Sequence, residues 1–290
     1  MVLAALTPEF DAFGPWIDRV TSAEQVPRLY AAYPLNFETA KLVLKVPRNI
    51  TRRDATADMD LYDHLLIAGE TGLTILSRYG TRFTESVIDY KDVVAISQSL
   101  NVLDGSLTLY TANGREHVID FNGAGAPAIA SLVELIRPKP LAVDKTSPYG
   151  AALDLSAIDR MLVGQLRELE RREPLLRIRA VHGHGTVAQR SGIARLLGRT
   201  YTLGALIVAT TPTELHIISR RDWVNVLKKP DLSHRHTVIT LSSLRSIKSE
   251  PHPTYEALVE LTVRMQSNSL TIVVPEGSTT ARELMAIGRS

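Results

Sequence analysis

The chain has 290 residues and no cysteine, which excludes disulfides, thiolate zinc sites, iron–sulfur clusters and a cysteine nucleophile. Its 44% hydrophobic and 22% charged residues are the proportions of a chain that buries real cores, and the length predicts two domains. The formal charge of +2 conceals an asymmetry: residues 1–140 carry 13 basic and 17 acidic side chains, residues 141–290 carry 20 and 14.

The chain opens on residues 1–6, where no basic residue precedes the apolar run, so no signal peptide is predicted. Pro8, Pro15, Pro27 and Pro34 limit helices in the first forty residues to short pieces. Phe10, Phe13, Trp16, Tyr30, Tyr33 and Phe37 predict that this arm, residues 1–40, packs rather than trails as a tail. From Lys41 the pattern turns to strands at 42–46, 65–68, 73–76, 87–88 and 93–96, with a charged turn at 89–92. Asp104-Gly105 and Asn113-Gly114 read as hairpin turns around strands 107–110 and 118–121. Connections this short predict an antiparallel meander. Pro127 suits the first turn of a helix whose Ile129, Leu132, Val133 and Ile136 fall on one face.

Three prolines and Gly150 make 138–150 the linker. A helix over 154–173 follows, with Ser156-x-x-Asp159 as its capping box and Glu168 to Arg172 as an i,i+4 ion pair. Its stripe of Leu155, Ile158, Leu162, Leu166 and Leu169 is suited to pairing between chains. Strands resume at 175–181, and apolar runs such as 206–209 are far shorter than the roughly 20 residues of a membrane span.

The two halves repeat a pattern. Residues 65–68 and 73–78, ending in Ser77-Arg78, correspond to 206–209 and 215–220, ending in Ser219-Arg220. Strands at 87–96, 107–110 and 118–121 correspond to 238–247, 258–263 and 270–274. Each copy closes in a helix, at 127–136 and 279–287. The expectation is an α+β, mostly antiparallel β chain: arm 1–40, first domain 41–137, linker and connector helix 138–173, and a basic second domain 174–290.

This arrangement, most of all "LIVATTPTELHIISR" followed by "VITLSSLRSI", resembles the bacterial pleckstrin-homology-like (PH-like) domain over roughly 41–137 and 175–288. The resemblance implies two bent, partly open β-barrels, each plugged by its terminal helix. It also implies binding and assembly rather than catalysis, with no fixed catalytic residues.

Residues 177–248 hold 12 Arg/Lys and only Glu214, Asp222 and Asp231 as acids, a local +9. In the resembled family the loop between the first two strands meets anionic partners. Here it holds Arg48, Arg52 and Arg53 in the first copy and Arg190, Arg195 and Arg199 in the second. Ile193, Leu196 and Leu197 interleave the second set at helical spacing, a pattern that inserts apolar side chains among lipid headgroups while arginines meet phosphate. Lys228 and Lys229, with Arg221 and Arg235, extend the same field. Nucleic acid is not favoured, because Tyr201 and Trp223 are the only aromatics in the segment.

Gly123-Ala124-Gly125-Ala126-Pro127-Ala128 imitates a dinucleotide fingerprint, but the strand before it belongs to a hairpin and the helix after it is short. Gly183 to Ala188 is a weaker match, with no acid in reach. His182-x-His184 and His234-x-His236 have chelate spacing without a third ligand type and read as loop histidines, and His64 beside Asp63 reads as a surface pair. No hydrolase motif occurs. The chain is therefore read as a cytoplasmic, non-enzymatic protein without cofactor or metal. Its partner is another protein, a second copy of itself, or the anionic inner face of a membrane. The competing readings are a homo-oligomeric scaffold and a nucleotide-binding enzyme using residues 123–128.

Overall fold

The computed structural model describes residues 7–137, 155–156, 158–225 and 231–289. The architecture is mostly antiparallel β-sheet with few helices, an α+β chain. It divides into two compact units: Met1–Val93 with Val102–Leu107 and Val118–Lys139, and Val94–Asn101 with Thr108–His117 and Pro140–Ser290.

The first unit begins with short pieces, as its prolines require: α1 (Pro8–Ala12), capped by Thr7, β1 (Asp18–Arg19), and single 3-10 turns at Ala23–Gln25 and Arg28–Tyr30. Phe13 and Tyr30 are buried, and the Tyr30 hydroxyl donates to the Asp63 carbonyl at 2.8 Å, so the arm is part of the core; Trp16 is half-exposed. Strands β2 (Leu42–Pro47), β3 (Tyr62–Ala68), β4 (Gly72–Tyr79) and β5 (Arg82–Asp89) follow. They form an antiparallel sheet in the order β1-β2-β3-β4-β5.

A 3-10 turn at Tyr90–Asp92 leads to β6 (Val93–Asn101), β7 (Asp104–Thr111), β8 (Glu116–Asn122) and α2 (Ala126–Ile136), which buries Ile129, Leu132 and Ile136. Asn113-Gly114 makes the β7–β8 turn, with Gly114 at φ +87° and the Thr111 amide bonded to the Arg115 carbonyl. Asp104-Gly105 is not a turn. The reversal is at Val102, φ 52°, and both Asp104 and Gly105 already lie in β7. Gly105 is there for a packing reason, since a Cβ would fall 2.3 Å from the Phe121 ring.

The connector helix is shorter than its pattern suggested. Helix α3 (Arg160–Arg172) is capped by Asp159, whose Oδ1 accepts from the Leu162 amide at 3.0 Å, so Asp159 is the cap itself rather than the acidic end of a box begun by Ser156. Leu162, Leu166 and Leu169, with Ile158 ahead of the helix, are buried against Ala205, Ile207 and Ile218. The stripe is thus consumed within the second unit and is not offered to another chain.

The rest of the second unit comprises β9 (Arg177–His182), β10 (Gly185–Ala188), α4 (Ile193–Leu196), β11 (Thr200–Leu203), β12 (Leu206–Thr210), β13 (Glu214–Ser219) and β14 (Val224–Asn225). After these come β15 (Ser233–Thr240), β16 (Leu244–Pro251), β17 (Leu258–Met265), β18 (Asn268–Pro275) and α5 (Thr279–Ile287). Strands β6, β15, β13, β12 and β9 pair in that order, all antiparallel, and β16-β17-β18 form a second sheet. Val94, Ala95, Leu215, Ile217 and Ile239 from the first sheet and Leu261, Val263 and Ile272 from the second share one core. Helix α5 adds Ala281 and Leu284 to it, and Gly288 lies so close to Ile247 that a Cβ would meet it at 2.8 Å.

With the small sheet β10-β11-β14 set aside, strands β9, β12, β13, β15, β16, β17 and β18 followed by α5 repeat the order of β2–β8 followed by α2. Each run has a 3-10 turn between its fourth and fifth strands, at Tyr90–Asp92 and Leu241–Ser243. The Ser-Arg pairs of the repeat also behave alike. Arg78 binds Asp63 at 2.7 Å, and Arg220 binds Asp159 at 3.1 Å.

Candidate functional site

The basic, apolar loop of the second copy is carried on an arm of its own. Strands β10 and β11 pair over Gly185↔Leu203 to Ala188↔Thr200, and α4 lies at their far end. Gly192 at φ +93° and Gly198 at φ +63° supply the left-handed backbone that starts and stops a helix of only four residues. Ile193, Leu196 and Leu197 are 75%, 86% and 63% exposed, so three large apolar side chains share one loop with nothing over them among the described residues. Large apolar side chains exposed together on one loop make it a candidate contact surface.

The loop is held from behind. The Arg190 Nε donates to the carbonyl oxygens of His252 and Tyr255 at 2.8 and 3.0 Å, and its amide to that of Thr254 at 2.8 Å. Arg195 pairs with Glu256 and donates to the Arg190 carbonyl. The His252 Nδ1 accepts from the Thr254 and Tyr255 amides at 3.0 and 3.2 Å, organising the loop that receives both arginines. Burial pushes the His252 imidazole below its ordinary range, which keeps Nδ1 an acceptor at neutral pH. Of the three arginines, Arg190 and Arg195 are therefore anchors. Arg199 is exposed and has no ion-pair partner among the described residues.

In the first copy, the loop between β2 and β3 is knitted to its own unit. Arg48 donates to the Asp60 carbonyl at 3.2 Å. Arg52 donates to the carbonyls of Phe10 and Phe13 and lies over the Phe10 ring at 4.3 Å. Arg53 is exposed. Lys228 and Lys229 lie outside the described residues. Arg235 sits over the Trp223 ring at 5.9 Å, and Tyr201 and Tyr255 meet edge to face at 5.2 Å, so each aromatic has a partner within the protein.

The histidines find partners within the protein. His182 approaches the Gly204 carbonyl through Nε2 at 3.2 Å, whereas His184 faces Asp159 at 3.2 Å, so the two do not converge. His236 meets His216 at 3.2 Å, with Glu214 at 3.6 Å on the far side of the His216 ring, which is fully buried. Among the described residues no group of three or more ligating side chains is placed to hold a metal ion. Asp63 pairs with Arg78 rather than His64, which instead meets the Ser77 hydroxyl at 3.0 Å and is depressed by burial.

Gly123–Gly125 forms one 3-10 turn closed by the Asn122 side chain, and a Cβ on Gly125 would meet Ile17 at 2.6 Å. The glycines thus admit a neighbouring side chain, and the preceding strand β8 lies beside β7 in a hairpin, not in a parallel βαβ unit. The missed feature is the cluster beneath α3. Arg220, nearly buried, binds Asp159 and the Ser233 carbonyl at 2.7 Å. The repeated Ser-Arg dipeptide was its only trace in the sequence. No helix of the described residues is long and apolar enough to cross a membrane. No family model, curated protein or solved structure matches the chain.

Proposed function

We propose that the protein is a non-enzymatic binding module of two PH-like domains, and that its second domain attaches reversibly to an anionic phospholipid surface through the 190–199 loop. The observation that carries this reading is the exposed triad Ile193, Leu196 and Leu197 on a loop pinned from behind by Arg190 and Arg195. Pinning matters, because a loop already ordered loses little conformational entropy when its apolar side chains enter the headgroup region. Arg199 and the surrounding positive segment supply attraction of about 1 kcal/mol for each basic residue near the leaflet, enough for weak attachment only. The repeated order of seven strands and a helix supports the PH-like assignment. In this reading the protein works in the cytoplasm at the inner face of the membrane.

The test is co-sedimentation with vesicles of phosphatidylcholine, with and without phosphatidylserine, at rising salt. Binding is expected only to the anionic vesicles, weakening with salt, and lost in L196S/L197S. Failure to bind at low salt overturns the proposal. If light scattering then shows a dimer that L196S/L197S abolishes, the triad is a self-association surface.

A further inference from the structure

The second unit contains a cleft of about 780 Å³, lined by β9, the β12–β13 turn, the start of β16 and the end of α5. We infer that it is a binding site for a phosphate monoester carrying a small apolar group, separate from the 190–199 loop.

Three arginines line it: Arg179, Arg245 and Arg289. Arg179 is oriented by Glu283, whose Oε2 accepts from Nε at 3.2 Å and Nη2 at 3.0 Å. Arg245 and Arg289 are exposed and have no carboxylate partner among the described residues, and no described carboxylate lines the cleft. The charge of Arg179 is met by Glu283, whereas Arg245 and Arg289 bring two positive charges that no described carboxylate of the lining offsets. A dianion offsets that excess positive charge, and planar guanidinium groups suit the oxygens of a phosphate. The Thr211 Oγ1 accepts from the Glu214 amide at 3.0 Å, which leaves its hydroxyl proton to be donated. The C-terminal end of α5 contributes a partial negative charge that opposes an anion, so the arginines must outweigh it.

The remaining wall is apolar. Leu241, Leu244 and Ile287 line the cleft and also pack on the buried core, so this floor is fixed before any ligand arrives. The volume lies within the range of small-molecule sites, and a floor of this size accepts a short alkyl or aryl group beside the phosphate.

The experiment is calorimetric titration of the full chain with inorganic phosphate and with n-hexyl phosphate. Hexyl phosphate is expected to bind at least about tenfold more tightly, the effect of about two buried methylenes. In R245Q/R289Q its affinity is expected to fall at least about tenfold, with circular dichroism showing an unchanged fold. L196S/L197S is expected to bind hexyl phosphate as the parent chain does, which separates this site from the membrane loop. No saturable binding of hexyl phosphate at millimolar concentration, or binding that R245Q/R289Q leaves intact, overturns the inference. Vesicles containing phosphatidic acid distinguish the source. Retention lowered by R245Q/R289Q assigns a lipid headgroup, and unchanged retention assigns a soluble ester.

Discussion

His182 ends β9 with one ring nitrogen against the Gly204 carbonyl and the other 3.4 Å from the Thr280 hydroxyl. Burial lowers its pKa to about 4, and proximity to His184 acts in the same direction. The unfolded chain therefore takes up a proton at this residue near pH 6.5 while the folded chain stays neutral until about pH 4. Stability from this group is complete above pH 6.5 and is lost as pH falls toward 4. Between pH 7 and pH 5 the loss is about 2 kcal/mol. Urea unfolding should show H182Q with a pH dependence flatter by about that amount, and an identical slope in the two chains would refute the assignment. His64, His117, His234 and His252 are depressed by burial too, so the remaining slope keeps the same sign.

At the scale of elements, α3 rests on one side chain for both its cap and its charge balance. Asp159 both caps the helix and neutralises Arg220, which is only 8% exposed. D159N keeps a capping oxygen but leaves a buried guanidinium without its counter-charge, and D159A loses both. Both should destabilise by several kcal/mol, D159A by about 1 kcal/mol more. Equal losses in chemical denaturation would mean that the cap lies elsewhere. Local signals of this kind were legible where one residue type has one geometric use: Asn113-Gly114 made a turn, and the prolines broke the arm into short pieces. They misled where one residue type has two uses. Gly105 looked like a turn glycine but serves a close ring contact, and Ser156 resembled a cap three residues too early. The β10–β11 arm went unread because both strands are only four residues long, but its apolar triad was visible from spacing alone. Whether Arg190 and Arg195 were ligands or anchors depended on partners some 60 residues away, at 252–256.

At the scale of the whole chain, the sequence repeat and the packing unit do not coincide. Strand β6 belongs by order to the first run, but it pairs with β15, from Ser233↔Asn101 to Ile239↔Ala95. The Ser243 hydroxyl donates to the Val94 carbonyl at 3.2 Å, and the Asn268 amide donates to the carbonyl of Thr111. A fragment of residues 155–290 therefore lacks the strand that pairs with β15, two buried core side chains and two buried hydrogen bonds of its own unit. It should show no cooperative thermal transition by circular dichroism, whereas residues 93–290 should. A sharp transition in the shorter fragment would contradict this account. Pairing across so many residues has no local signature, which is why hydrophobic patterning placed the strands and not their neighbours.

The same pairing sets a timetable for synthesis. Ser97 and Thr237 share a hydrogen bond across 140 residues of chain. At about 5–20 residues per second, β6 leaves the ribosome roughly 7–28 s before its partner exists. During that interval the side of β6 that faces β15 is an unpaired strand edge, the kind of surface on which nascent chains aggregate. Its middle reads Ser97-Gln98-Ser99, and those hydroxyls and amide tolerate water during the wait. When β15 arrives, Ser97 meets the Thr237 hydroxyl at 3.0 Å. Polar residues in the heart of a sheet thus suit a strand that must wait, compatible with water before its partner arrives and hydrogen-bonded to it afterwards.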